Sequence, residues 1–96
     1  MHARITRVQV AADKIDEARA QIAALVPEIR SLPGLKEFIN VIKDDGGGVA
    51  IAIYNSKAEL DAATPRVSEI LSGLASLFTA APSSEAYEVD IHETVE

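Results

Sequence analysis

The chain has 96 residues, a formal charge of −6 and no cysteine. That is the scale of one domain, residues 1–96, with no disulfide, thiolate nucleophile or cysteine metal site. The acidic balance lacks the basic stripe of a nucleic-acid binder, no stretch reaches the ~18 apolar residues of a membrane span, and no signal peptide is visible, so cytoplasmic placement is expected.

Residues 2–10 alternate as a strand does. Ile15, Ala18, Ile22, Leu25, Ile29 and Leu32 then follow 3-4-3-4-3 spacing, one apolar seam along a helix over 13–32. Asp13 is the expected N-cap, with Asp16 and Glu17 in the first turn, where the helix dipole favours negative charge. Pro27 removes an amide donor and crowds the carbonyl of Ala23, which predicts a kink or short break near 24–27. Leu32-Pro33-Gly34 ends the helix. Residues 35–43 and 49–54 read as a hairpin about Asp44-Asp45-Gly46-Gly47-Gly48. Ser56-Lys57-Ala58-Glu59 is a capping box. Thr64-Pro65 predicts a restart, with Thr64 as N-cap, so residues 56–79 are expected as two helical pieces. Residues 80–84 read as a loop and 86–93 as the last strand, with Tyr87, Val89 and Ile91 along one face.

The order β-α-β-β-α-β is that of a ferredoxin-like plait, an α+β fold with a four-stranded antiparallel sheet. Two helices cover one sheet face only. On the third strand, Val49, Ile51 and Ile53 project one way and Ala50, Ala52 and Tyr54 the other, and neither set carries charge. Roughly four or five large apolar side chains left open exceed what soluble monomers usually show. A homodimer packed through its sheet faces is the expected remedy.

Pro33-Gly34-Leu35, the strand Lys36–Lys43, the glycine-rich turn and the run Ile53-Tyr54-Asn55-Ser56-Lys57-Ala58-Glu59-Leu60 form a series in a definite order. It resembles the antibiotic biosynthesis monooxygenase superfamily, the dimeric α/β barrels, over nearly the whole chain. The resemblance implies a dimer whose two sheets close into a barrel, with a pocket between each sheet and its own helices. It also implies oxygenation of small aromatic or quinol-like substrates without a cofactor, or haem degradation in another branch. The chain departs from the family's pattern in three places. Tyr54 stands where a tryptophan commonly closes the third strand, Ala63 where the next helix often carries a histidine, and Thr6 near the first-strand asparagine of the haem-degrading branch. Without that imidazole, haem is not an expected cofactor.

Tyr54, where a strand hands over to a helix, is placed to hydrogen-bond a phenol or quinone; the alternative is a packing tyrosine whose hydroxyl reaches water. Asn40 could orient a substrate oxygen or simply face solvent on an edge strand. His92 is the candidate acid or base, with His2 as a neighbour across the sheet; the pair is too weak a signal for a metal site. Arg7 and Gln9 share one face of the central first strand, so Arg7 is expected to need a carboxylate, Glu88 or Asp90, or to receive an acidic ligand. Thr6, Phe38 and Phe78 complete the expected substrate contacts. Two functions are expected: a cofactor-independent monooxygenase, or a non-catalytic dimer that binds a small apolar or aromatic molecule or serves as a stress-response domain.

Overall fold

The computed structural model describes residues 1–96. In chain order come β1 (His2–Gln9), α1 (Ile15–Arg30), β2 (Leu35–Ile42), β3 (Gly47–Tyr54), α2 (Lys57–Gly73) and β4 (Ser83–Glu88). The strands form one antiparallel sheet in the order β2-β3-β1-β4. This is the ferredoxin-like α+β plait that the hydrophobic rhythm implies. No helix is long and apolar enough to cross a membrane.

The seam of α1 faces inward as expected: Ala18, Ile29 and Leu32 are buried, and Ile15, Ile22 and Leu25 half-buried. Two local expectations fail there. Asp13 lies inside a 3-10 turn, Ala12–Lys14, and the N-cap position falls on Lys14, which makes no capping bond with its side chain. The helix also runs unbroken through Pro27. Packing of the seam outweighs the one amide that proline removes, and exposed Pro27 displaces nothing in the core.

The second helix corrects another expectation. Ser56 caps it as predicted, its hydroxyl accepting from the Glu59 amide at 3.2 Å. Thr64-Pro65 does not restart a helix, however; α2 continues through Pro65 to Gly73. Pro65 leaves the carbonyl of exposed Asp61 without its amide donor, while the preceding carbonyl gains side-chain donors. The Thr64 hydroxyl donates to the Leu60 carbonyl at 3.2 Å, and Arg4 Nη2 donates to the same oxygen at 2.9 Å. The true interruption comes after Gly73, where a 3-10 turn, Ala75–Leu77, follows.

Between β2 and β3 the loop Asp44-Asp45-Gly46 is held by Lys43 N–H donating to Gly47 O at 2.8 Å and Gly46 N–H to Lys43 O at 2.9 Å. Gly46 has φ +91°, the left-handed residue that such a three-residue hairpin loop requires.

The last strand is shifted from its expected range: β4 covers Ser83–Glu88, and residues 89–93 are not strand. Ser83 and Ser84 pair with Arg7 and Thr6 and so leave the expected loop. Beyond Glu88, Val89 N–H donates to the Met1 carbonyl at 3.0 Å, and His92 Nε2 lies 3.1 Å from Glu37 Oε1 on β2, at the opposite sheet edge. Four residues at ~3.3 Å each match the ~14 Å across four strands. The chain end thus crosses the helix-free face, over the row containing Ala3 and Ile53, each 8% exposed. The rest of that face stays open, with Ile39, Val41 and Tyr87 between 45% and 51% exposed.

Candidate functional site

The buried core is split in two. Val10, Ala18, Leu74 and Leu77 form one cluster; Leu32, Tyr54, Leu60 and Ala63 form the other. Between sheet and helices lies a cavity of about 90 Å³ bounded by members of both clusters. Register explains the space. On the helix-facing side of the sheet, Arg4 pairs with Ala52, Thr6 with Ala50 and Val8 with Gly48, so small β3 residues face the central strand throughout. Phe38 and Asn40 of β2 form one wall, Phe78 another, and the apolar stripes of α1 and α2 the roof. Fourteen of the seventeen lining residues are hydrophobic.

The polar groups in this setting are few. Arg4 is 5% exposed, and its Nη2 donates to the Leu60 carbonyl at 2.9 Å and to the Thr64 hydroxyl at 2.5 Å. Its guanidinium carbon stands 5.7 Å from the centroid of the Tyr54 ring, a cation–π distance. Thr6 Oγ1 shares a hydrogen bond of 2.8 Å with Ser84 Oγ. Two buried polar atoms make no hydrogen bond of normal geometry, Arg4 Nη1 and the Tyr54 hydroxyl, although the guanidinium acts on the phenol at close range. Buried donors are rarely left so, and each such orphan calls for an explanation.

Burial pushes the Tyr54 phenol above its ordinary value of 10.0, while the positive charge and donor of Arg4 pull the other way without cancelling the rise. Tyr54 is therefore a neutral donor at physiological pH. The sign of the linked stability change follows. Below pH 10 the unfolded chain's phenol is also protonated, and nothing is lost. As pH rises from about 10 through the higher folded value, stability should fall by about 1.4 kcal/mol per unit. Urea denaturation of the parent chain and Tyr54→Phe across that window should show this extra slope in the parent alone.

The structure gathers five of the residues singled out from sequence: Tyr54, Asn40, Thr6, Phe38 and Phe78 all line the cavity. Asn40 is half-buried against it, not solvent-facing. Two expectations are corrected. Arg7 is exposed on the helix-free face, opposite Ser83 and Val49, because odd-numbered β1 residues point away from the helices; Glu88 lies opposite His2 instead. His92 lies beyond β4 against Glu37, on the far side of the sheet from the cavity and from any base role there. Arg4 is the residue that sequence reasoning missed. The signal was present: on a period of two it shares a face with Thr6 and Val8 and meets Ala52, where space for a long side chain exists.

No protein-family model matches the sequence, and no curated protein matches it at a significant level. Solved structures do match. The Mycobacterium tuberculosis protein Rv0793 is similar at 20% identity, covering 97% of this chain and 98% of its own, with TM-score 0.76. A structure named antibiotic biosynthesis monooxygenase is similar at 18% identity, covering 95% and 100%, with TM-score 0.76. Protein NE2512 of Nitrosomonas europaea, described as of unknown function, is similar at 12% identity, covering 99% and 94%, with TM-score 0.82. Further neighbours from Nitrosomonas europaea, Deinococcus radiodurans and Caulobacter crescentus carry the monooxygenase name provisionally. At these identities the likeness shows a shared fold over the whole chain.

Proposed function

We propose that this chain, which has the fold of structures named antibiotic biosynthesis monooxygenases, is a cytoplasmic, cofactor-independent monooxygenase of that type for a small aromatic or quinol-like substrate. The observation that carries the reading is the pair of unpartnered buried donors, Arg4 Nη1 and Tyr54 Oη, at an otherwise apolar cavity. Such a substrate supplies its own electrons. The quinol loses two hydrogens and gains one oxygen atom of O₂ on a ring carbon, and the second oxygen leaves with those hydrogens as water, so no external reductant enters the balance. The chain's part is electrostatic. Arg4 and Tyr54 stabilise an oxyanion as it forms, Asn40 and Thr6 orient the ring, and the apolar lining excludes water.

A single-ring quinol, 1,4-dihydroxybenzene, is the test substrate, matched to a cavity of about 90 Å³. Incubation with ¹⁸O₂ should place one labelled oxygen in the product, and Tyr54→Phe should lower kcat by about 10²-fold, the usual loss for one oxyanion donor. Asn40→Ala should raise KM more than it lowers kcat. Saturable binding of the quinol without product would sink the oxygenase reading and leave the second one, a non-catalytic small-molecule carrier. The carrier is favoured by one specific feature: no carboxylate, histidine or lysine lines the cavity to act as base.

A homodimer through the helix-free sheet face belongs to the same proposal. Ile39, Val41 and Tyr87 stand about half-exposed there, and Ile91 at 78% adds to the patch. Sedimentation at micromolar concentration should give twice the chain mass of 10.2 kDa. A species of single mass would overturn the dimer.

A further inference from the structure

We infer that the cavity takes its ligand as an anion: a single-ring aromatic whose hydroxyl or carboxyl is already ionised, set against Arg4 Nη1 with the Tyr54 hydroxyl as second donor. The inference rests on the cavity being the functional site, and not on any oxygen chemistry.

A guanidinium 5% exposed is strongly disfavoured unless a counter-charge accompanies it. The chain has 15 acidic residues against 9 lysines and arginines, yet none of its ion pairs includes Arg4. The partners Arg4 does have are neutral: a carbonyl, a hydroxyl and the face of a tyrosine ring. A structural role beside Pro65 would explain Nη2 alone. It leaves Nη1 buried and idle, and the Thr64 hydroxyl already serves the Leu60 carbonyl without help.

The two idle groups, a guanidinium N–H and a phenol O–H, are the complement of an oxyanion, which offers only lone pairs. The remaining lining narrows the class. Without a base in the cavity, an acid arriving protonated would find no group to take its proton. Without a carboxylate, a cationic ligand would find no partner and would meet Arg4. A cavity of about 90 Å³ walled by aliphatic side chains and two phenylalanines is smaller than engineered apolar cavities of ~150 Å³ that hold benzene, which limits the ligand to one ring at most.

The test uses the full chain and 4-nitrophenol, whose phenolate absorbs in the visible and which ionises near neutral pH. An apolar cavity alone would favour the neutral phenol and raise its titration midpoint. Bound to this protein, the midpoint should instead fall by at least about one unit, meaning that the phenolate binds at least tenfold tighter than the phenol. Benzoate should displace it; benzyl alcohol, neutral and of similar size, should not at equal concentration. The benzoate arm tells a carboxylate site from one restricted to phenolates. In Arg4→Met the shift should vanish or change sign, and in Arg4→Lys part of it should survive, with circular dichroism reporting that each variant is folded.

An unshifted or raised midpoint with the parent protein would overturn the inference. So would an anion preference that persists in Arg4→Met, or failure of nitrophenol and benzoate alike to bind. Neither probe is oxidised by O₂, so the outcome separates from turnover. Anion preference without quinol oxidation would defeat the oxygenase reading alone, and quinol oxidation without anion preference would defeat the anion site alone.

Discussion

Arg4→Glu is expected to cost about 3–5 kcal/mol of folding stability, whereas Arg4→Met should lose less than about 1 kcal/mol or gain stability. The side chain at position 4 is surrounded by acceptors, the Leu60 carbonyl and Thr64 hydroxyl, and by the negative face of the Tyr54 ring. A carboxylate there would be desolvated and repelled by the Leu60 carbonyl and the Tyr54 ring face, with only hydroxyl donors to offset the cost. Methionine fills similar volume against Ala52 and the α2 turn, and it removes a charge that the empty protein carries without compensation. Thr64 remains to satisfy Leu60. Because ordinary domains hold only about 5–15 kcal/mol in all, the glutamate variant should sit near its unfolding threshold. Urea midpoints at constant slope decide the matter. A loss of about 3 kcal/mol in Arg4→Met would mean that the guanidinium is there to hold the fold together, and would remove the reason to see it as a site.

Gly46→Ala should be the most damaging conservative change in the hairpin, at about 3 kcal/mol or more. Its φ of +91° costs an alanine about 1–2 kcal/mol by itself. The added methyl would also overlap the Val10 carbonyl, which is backbone and cannot rotate away. Relief would require β1 and the loop to separate, breaking the bond from Val10 N–H to Gly46 O at 2.8 Å. Gly73→Ala is the control. A methyl there meets nothing within 4 Å at the end of α2 and should stabilise by up to about 1 kcal/mol. Equal midpoints for the two variants would show that the loop yields more easily than this geometry allows.

The plait was legible because its signal is periodic and redundant. Six residues agree on the seam of α1, and the alternation of β3 assigned both of its faces correctly. Errors gathered where one residue competes with tertiary contacts. Proline rules placed a break at Pro27 and a restart at Pro65, yet packing carries α1 through one, and α2 runs unbroken through the other beside a turn that Thr64 and Arg4 bond. Arg4 reaches that turn from 56 residues away, and no local rule contains it. The site divided along the same line. Tyr54, Thr6, Asn40, Phe38 and Phe78 lie on strands or beside Val10, where face alternation places them. Arg7 was expected to need a carboxylate on a crowded face, yet it stands exposed opposite Val49 and Ser83. His92 was read into a strand, although β4 has already ended at Glu88.

The course of residues 89–92 has a consequence for assembly. They lie on the ground a second molecule would need, tied at one end to Met1 and at the other to Glu37. Any approaching copy must therefore either evict this built-in competitor or trap it as a gasket between two layers. If it is evicted, association and release of the chain's own end become a single coupled equilibrium.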